Sequence, residues 1–211
     1  MVYNILTWIL VKNLRKEKQY KMEKTLFINA CVRDESRTRL LAERVLEKIG
    51  GDIREVNLEK ENISPLNKSS LKTRDEYGKK GDFSHEIFKY AKQFSEAETL
   101  VVAAPYWDLS FPAMIKIYFE AVTVQGLTFR YTEEGIPQGL CKAKRLIYVT
   151  TAGGPIEGMN FGFEYVDALC RGFYGIEDTR CYKAELLDIV GADVDGILKK
   201  ALEEIDRNED L

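Results

Sequence analysis

Residues 99–122, TLVVAAPYWDLSFPAMIKIYFEAV, contain the pattern that decides the fold. The run at 99–104 is the strongest predicted strand in the chain and is apolar after Thr99, which is typical of a strand in a parallel sheet. Pro105 and Pro112 bound a short loop, and Pro112 fits the first turn of a helix, where its missing N–H is not needed. The stretch therefore predicts a strand, a loop rich in aromatic residues and a helix.

Strands and helices alternate in the same way on both sides of this stretch. Residues 60–82 are polar and contain proline and glycine, so we expect a long loop there. Residues 126–140 contain Phe129 and Tyr131 separated by a polar residue, followed by a turn sequence, and predict a β-hairpin. The predicted strands are 25–30, 53–58, 99–104, 144–151 and 178–186, and the predicted helices are 36–49, 83–95, 112–122, 162–173 and 193–206.

This alternation predicts a doubly wound α/β domain, with a parallel sheet covered by helices on both faces. Five strands favour the flavodoxin-like order 2-1-3-4-5 over the six-stranded dinucleotide-binding order. In such sheets the ligand lies outside the carboxyl ends of the strands, near the switch between strands 1 and 3. The β-hairpin is an excursion from this plan.

Composition narrows the classes of function. The chain has 211 residues, which suits one domain. Its 31 basic and 34 acidic residues give a net charge of −3, so composition does not support nucleic-acid binding. The four cysteines form no CxxC pair and the one histidine is His85, so we expect no metal site. Unpatterned cysteines indicate free thiols in a reducing compartment, and we expect a cytoplasmic protein.

Residues 1–23 differ from the rest of the chain. Residues 2–11 are apolar and residues 12–24 are strongly basic. The apolar run is too short to span a bilayer, and it lacks the basic start and cleavage site of a signal peptide. An amphipathic helix at a membrane surface is one interpretation. The preferred interpretation is a dispensable extension, with 24–211 as the domain, and we expect removal of 1–21 to leave folding intact.

The loop after the first predicted strand, residues 30–38 (ACVRDESRT), opens a helix with hydroxyl and basic side chains. Free N–H groups and the dipole at a helix start favour an anion. Ser36 and Thr38 would add hydroxyl donors and Arg37 would add charge. Since GxGxxG and GxxxxGK[S/T] are absent, the loop predicts a cradle for one phosphate. The alternative is that Ser36 only caps the helix.

Two further loops follow predicted strands. Residues 105–112 (PYWDLSFP) place adjacent aromatic side chains after the most buried strand, which indicates a flat conjugated ligand. A hydrophobic plug folded back onto the domain is the alternative. Residues 150–155 (TTAGGP) contain paired glycines, which allow a ligand to approach the backbone closely. An ordinary flexible turn is the alternative there.

Together these segments resemble the FMN-dependent NAD(P)H:quinone reductase and azoreductase family, which has the flavodoxin-like fold. The resemblance runs from about Lys24 to the C-terminus. Residues 101–122 are similar to the family's APMYNFNxPxxLKxxxD segment. Residues 126–140, GLTFRYTEEGIPQGL, are similar to GxTFxYTxxGPxGL, which precedes KxKxLxxxTxxGG. The first loop departs from the family, because Ala30 stands where members often have serine and 35–37 replaces a serine-rich loop.

The resemblance implies FMN as cofactor, NADH or NADPH as co-substrate, and a homodimer with its active site near the subunit boundary. It also implies three groups of contacts to FMN. Those to the phosphate are Ser36, Arg37 and Thr38, those to the isoalloxazine and ribityl chain are Pro105, Tyr106, Trp107, Asp108 and Leu109, and those to the pyrimidine edge are Thr151, Ala152, Gly153 and Gly154.

The resulting hypothesis is a two-electron oxidoreductase that acts on quinones, azo compounds or related acceptors by a ping-pong mechanism. The flavin N5 carries the chemistry, so no catalytic side chain is assigned. Phe129 and Tyr131 are tentative residues of a substrate pocket, and a hairpin that packs on its own domain is equally compatible with the sequence. A flavodoxin-type electron carrier and a non-catalytic flavin-binding protein remain as alternative functions.

Overall fold

The computed structural model describes residues 24–211, so the predictions about residues 1–23 lie outside the described residues. The strands are β1 Lys24–Asn29, β2 Asp52–Asn57, β3 Thr99–Ala103, β4 Phe129–Tyr131, β5 Pro137–Gly139, β6 Arg145–Thr151 and β7 Asp178–Ala184. The α-helices are α1 Arg37–Ile49, α2 Lys68–Gly78, α3 Lys89–Glu96, α4 Ala113–Val122, α5 Phe161–Leu169 and α6 Val194–Arg207. A 3₁₀ turn at Glu86–Phe88 precedes α3, and a π turn at Cys170–Tyr174 follows α5.

The main sheet has the order β2-β1-β3-β6-β7, and every pairing in it is parallel. When the two hairpin strands are set aside, this is the predicted order 2-1-3-4-5, and the predicted fold class is confirmed. Strands β4 and β5 pair antiparallel in a separate two-stranded sheet, with Phe129 opposite Gly139. The hairpin at 126–140 is therefore also confirmed.

The core lies on both faces of the main sheet because β3 is buried along its whole length. Leu100 and Val102 face a cluster that includes residues of α3, α4 and α5. Val101 and Ala103 face a second cluster, which α1 and α6 complete. This strand thus supplies both cores, as expected for a parallel sheet with helices on both faces.

The loop predicted at 60–82 is wrong in part, because Lys68–Gly78 forms helix α2. A capping box starts this helix, since Asn67 accepts from the Ser70 backbone N–H while the Ser70 side chain accepts from the Asn67 N–H. None of its residues is fully buried, so no apolar stripe marks it in the sequence. Arg74 anchors it by donating to the carbonyl oxygens of Glu120 and Thr123, at 2.9 and 2.7 Å.

The hairpin lies at the amino-terminal edge of the sheet. The N–H groups of Lys142 and Lys144 donate to the carbonyl oxygens of Ser95 and Glu98, both at 3.0 Å, just before β3 begins. The hairpin therefore ends where β3 and β6 start, and the loops after β1, β3, β6 and β7 lie at the opposite edge. Among the helices of residues 24–211, none is long and apolar enough to cross a membrane.

Candidate functional site

Four loops at the carboxyl edge of the sheet enclose a cavity of about 420 Å³. They follow β1, β3, β6 and β7, which are neighbours in the sheet although they are far apart in the sequence. This is the position that the doubly wound topology assigns to a ligand. The cavity is lined by Val32, Arg33, Glu35, Ser36, Arg37, Thr38, Pro105, Tyr106, Trp107, Thr151, Ala152, Gly153, Leu187 and Asp188.

Most of the predicted site residues meet in this cavity, from all three predicted loops. Asp108 and Gly154 are adjacent to lining residues but do not line the cavity themselves, and neither does Leu109. Leu187 and Asp188 line it and were not predicted, because only the loops after the first, third and fourth strands of the main sheet were considered. Their position in the chain could have identified them, because they follow the last parallel strand, whose carboxyl end lies at the same edge of the sheet.

The first loop places hydroxyl groups at the start of α1. Ser36 is the N-cap residue, and its Oγ accepts from the Arg39 backbone N–H at 3.2 Å. The first-turn N–H groups of a helix have no backbone partner within it, so apart from the capped N–H of Arg39 those of α1 are left for other acceptors. The Thr38 side chain is buried, and its Oγ1 lies 2.6 Å from Thr151 Oγ1. That hydroxyl pair joins the first loop to the loop after β6.

Arg37 enters the cavity as one member of an ion pair. Its Nη1 lies 2.8 Å from Asp188 Oδ1 and 3.4 Å from the Leu187 carbonyl oxygen. The sequence suggested an arginine with its charge open to a ligand. The structure instead shows a guanidinium that already has an anionic neighbour within the same cavity.

The loop after β3 is a tight turn with an uncommon backbone. Trp107 and Ser110 exchange N–H···O bonds at 3.1 and 2.8 Å, and the two residues between them have positive φ, 50° at Asp108 and 68° at Leu109. These are the signs of a type I′ turn, which usually contains asparagine or glycine. Non-glycine residues in the left-handed region are strained, and such strain concentrates at functional sites.

This turn keeps its aromatic neighbours at the cavity. The Tyr106 N–H donates to the Thr151 carbonyl oxygen at 3.1 Å, and the Tyr106 hydroxyl donates to the Met159 carbonyl oxygen at 3.0 Å. Trp107 remains 40% exposed. The hydrogen-bonded Tyr106 and the exposed Trp107 indole together form an aromatic wall. Because Trp107 is exposed, it is not part of a buried hydrophobic plug.

The loop after β6 brings backbone close to the cavity at Gly153. A Cβ built on this glycine would lie 2.3 Å from Asp188 Oδ2, so the space of the missing side chain is filled by the carboxylate. The loop after β7 lies against it, with N–H groups of Leu187 and Asp188 donating to the carbonyl oxygens of Ala152 and Gly153 at 3.2 and 3.0 Å. A side chain at position 153 would therefore collide with the Asp188 carboxylate in its present position, and glycine avoids this.

The site contains hydrogen-bond donors and aromatic surfaces but no activated nucleophile. The Cys31 thiol lies behind the cavity at the end of β1, and burial raises its pKa to about 11. It is therefore protonated at neutral pH and poorly nucleophilic. His85 is occupied elsewhere, where its Nδ1 accepts from the Ile87 N–H at 3.1 Å. Within residues 24–211 no group of His, Cys, Asp and Glu side chains could hold a metal ion.

The two hairpin aromatics lie outside this cavity. Phe129 is buried and packs edge to face against Phe173, with ring centroids 4.9 Å apart. Tyr131 is 47% exposed. Since the hairpin stands at the amino edge, Phe129 packs on its own domain, which is the alternative that the sequence left open. A role for either residue in a substrate pocket stays a prediction.

Comparison with known proteins places the chain in a family. The sequence model of a family described as having the Flavodoxin-like fold matches residues 23–208. The chain belongs to this family. FMN-dependent NADH:quinone oxidoreductase 2 of Clostridium acetobutylicum is 40% identical over 195 residues, which cover 86% of this chain and 96% of that one. An FMN-dependent NADH:quinone oxidoreductase of Coprothermobacter proteolyticus is 36% identical over 198 residues, which cover 88% of this chain and 98% of that one.

Solved structures agree with these relatives. An azoreductase from Bacillus anthracis superposes with a TM-score of 0.74 at 26% identity, covering 87% of this chain and 97% of the other. The predicted membership in the quinone reductase and azoreductase family is confirmed, and so is the predicted class of enzyme, an oxidoreductase.

Proposed function

We propose that this family member is an FMN-dependent oxidoreductase that transfers two electrons from NADH or NADPH to quinones, azo compounds or related acceptors. The observation that carries the proposal is one cavity in which an anion-binding helix start, an aromatic wall and a glycine backbone converge. The 40% identity to a quinone oxidoreductase supports the same conclusion.

The donor set at one end of the cavity fits a single phosphate. The start of α1 offers backbone N–H groups, Ser36 can donate its hydroxyl hydrogen, and Arg37 adds a guanidinium. The sequence contains no second pyrophosphate motif. These groups therefore fit FMN better than FAD.

The other walls fit a flat heteroaromatic ring. Trp107 and Tyr106 provide aromatic surface on one side, and Ala152 and Gly153 provide backbone at close range on another. Backbone N–H groups can also stabilise negative charge that develops at the edge of a ring. We propose that these residues orient the cofactor and exclude water from one of its faces.

When bound, FMN supplies the hydride and electron chemistry, and the chain supplies binding, orientation and electrostatics. No side chain is needed as a general base, which agrees with the protonated Cys31 thiol and the distant His85. The residues of the cavity act by holding the reacting ring in position rather than by exchanging protons with it.

We propose that the two co-substrates use the same opening in turn. If the 105–109 loop covers one face of the ring, the nicotinamide and the acceptor require the same open face and cannot be bound productively together. Initial-rate plots of 1/v against 1/[NADH] at several quinone concentrations should then be parallel. Intersecting lines, together with a trapped ternary complex, would show a separate acceptor site and contradict the ping-pong order.

We also propose a cytoplasmic homodimer. Four large apolar side chains are 38–49% exposed, and we propose that a second copy of the chain covers them. They are Trp107, Leu109, Met159 and Phe161. The free cysteines support a reducing compartment. Sedimentation equilibrium should give twice the chain mass, and a monomer at micromolar concentration would refute the dimer.

The cofactor proposal has a direct test. The purified protein should show flavin absorbance bands and release one FMN per chain on denaturation. Release of FAD, or no binding of either flavin after reconstitution, would contradict the assignment. An assay of NADH and NADPH oxidation with a quinone then separates the enzyme from a flavodoxin-type carrier and from a non-catalytic flavin-binding protein, since neither of these sustains turnover.

A further inference from the structure

The Asp188 carboxylate lies beside the arginine that is proposed to bind the cofactor's phosphate. Arg37 Nη1 is 2.8 Å from Asp188 Oδ1, and both residues line the cavity. The two side chains are 41% and 68% exposed, so water screens the pair and its contribution to folding stability is small. Such a pair can exchange its carboxylate for a ligand anion at little cost.

The position of this carboxylate is built into the backbone. The Asp188 N–H donates to the Gly153 carbonyl oxygen at 3.0 Å, and the preceding Leu186 has a φ of 65°, which turns the chain toward the cavity. The carboxylate also fills the space that a Cβ on Gly153 would occupy, at 2.3 Å. The backbone bond therefore holds Asp188 beside Gly153, and the missing side chain of Gly153 leaves space for the carboxylate.

The charges of the lining explain why this matters. The cavity lining contains Arg33 and Arg37, and it also contains Glu35 and Asp188, so the formal charges cancel. A phosphate monoester carries about 1.5 to 2 negative charges at neutral pH. Asp188 offsets the charge of the guanidinium that it contacts, so a phosphate would meet a lining with no net formal charge.

We propose that Asp188 is a specificity-determining residue that competes with the FMN phosphate for Arg37. The inference rests on the proposed function. On binding, Arg37 exchanges a carboxylate oxygen for a phosphate oxygen, and the Asp188 side chain turns toward solvent while its backbone bond to Gly153 stays. Asp188 thereby reduces the preference of the site for FMN over riboflavin and keeps the cofactor exchangeable.

The test is Asp188→Asn, which keeps the shape of the side chain and removes its charge. The affinities of FMN and riboflavin are measured by flavin fluorescence quenching on the full chain after its flavin has been removed. We expect FMN to bind about 3- to 10-fold more tightly to the variant, and riboflavin to bind unchanged. The gain should shrink at high salt, and Arg37→Gln in the same chain should abolish it.

Two control variants separate the pair from general charge effects. Glu47→Gln removes a carboxylate that is 67% exposed and paired with Arg44 at 3.0 Å, outside the cavity, and should leave both affinities unchanged. Glu35→Gln removes a charge from the cavity lining but keeps the contact between Asp188 and Arg37. It should therefore increase FMN affinity less than Asp188→Asn does.

Each other outcome overturns the inference. Weaker FMN binding to Asp188→Asn would show that the carboxylate holds Arg37 in place for the phosphate. Equal gains from Glu35→Gln and Asp188→Asn, or equal shifts for FMN and riboflavin, would show that the pair has no specific role. If the unaltered chain binds neither flavin, the proposed function itself fails. If the chain binds riboflavin and Asp188→Asn leaves the FMN affinity unchanged, the inference about Asp188 fails while the proposed function stands.

Discussion

The two edges of the main sheet carry aromatic residues that look alike in the sequence and behave differently in the fold. Trp107, after β3 at the carboxyl edge, is 40% exposed beside the cavity. Phe129, in the hairpin at the amino edge, is buried against Phe173. Exposure alone does not separate the two edges, since Tyr131 of the hairpin is 47% exposed. The comparison teaches that the polarity of the nearest parallel strand indicates which aromatic side chains border the cavity at the carboxyl edge.

Glycines at the two edges differ in the same way. Gly139 lies so close to the chain at 174–175 that a Cβ would meet backbone atoms, whereas a Cβ on Gly153 would meet the mobile end of a side chain as its nearest contact. Gly139 is therefore confined by backbone, whereas the space beside Gly153 is filled by a side chain that can be displaced. Variants at the two edges should show this division.

The largest expected effect is on stability, from Gly139→Ala at the amino edge. A Cβ there would lie 2.1 Å from the Tyr174 carbonyl carbon and 2.3 Å from the Gly175 nitrogen, and neither can move without shifting the chain. We expect the free energy of unfolding in urea to fall by about 3 kcal/mol.

Gly135→Ala is the matched control for this variant, because Gly135 is in the same hairpin and nothing lies within 4 Å of its built Cβ. Its φ of 78° makes alanine strained, at a cost of about 1 kcal/mol. Equal losses for the two variants would mean that the hairpin does not pack on the π turn as described.

The next effect is on binding, from Arg37→Ala at the carboxyl edge. A charge-assisted bond to phosphate contributes about 1.5–3 kcal/mol, so FMN affinity should fall about 10- to 100-fold while riboflavin affinity is kept. Arg44→Ala is the control, since Arg44 is exposed to the same degree, 42% against 41%, and lies outside the cavity. Parallel losses for the two flavins would remove Arg37 from the phosphate site.

A smaller effect is expected from Gly153→Ala. The new Cβ must displace the Asp188 carboxylate, which can swing into solvent, so we expect a stability loss of about 1 kcal/mol in urea unfolding. Asp188→Ala in the same chain should restore part of it, because it removes Oδ2 and Cγ at 2.3 and 2.9 Å but keeps Cβ at 3.0 Å. This coupling is the decisive observation. Gly154→Ala, with nothing within 4 Å of its built Cβ, should be nearly neutral. Additive losses would contradict the close approach.

The smallest effect is electrostatic and belongs to the amino edge. Arg180 and Arg145 hold the pKa of the Asp178 carboxyl below its usual value, the first by the larger amount, and each donates to it at 2.9 Å. Because the folded pKa is lowered, the stabilisation is present above the unfolded-state pKa of about 4 and is lost as the pH falls through the folded value.

Asp178→Asn should therefore cost about 0.5 kcal/mol at pH 7, a small figure because the side chain is 37% exposed and screened. Thermal unfolding should show the two proteins converging as the pH falls below the unfolded-state pKa and through the lower folded pKa of Asp178. Flavin affinity should not change, and a change would mean that the amino edge communicates with the cavity.

The fold could be predicted because periodicity and burial agree along most of the chain. The apolar run within 99–104 identified β3, and the alternation around it gave the strand order. Helix α2 was missed because it is mostly polar and has no apolar stripe, and its contacts come from the Asn67 capping box, from Arg74 and from Tyr77, which packs against the core. The Arg74 contacts depend on the end of α4 lying close to α2 in the fold, and a local sequence pattern cannot predict that.

The site could be predicted as three loops, and less well as contacts. Thr38 and Gly153 line the cavity as expected, whereas Leu109 turns away because positive φ values at 108 and 109 reverse the chain. Asp188 was missed because it lies in the loop after the last strand, outside the three predicted loops. Its pairing with Arg37 requires two strands to be brought together by the sheet.

The parallel order of the sheet also determines when the cavity can first exist. Its walls come from loops at about residue 32, 105, 151 and 187, so they are synthesised at widely separated times. A nascent chain that has passed β6 can pair its first strands, but it lacks β7 and the loop that carries Asp188. The last strand must therefore be synthesised before the cavity is complete, so we expect any ligand of the cavity to bind only after β7 has been made.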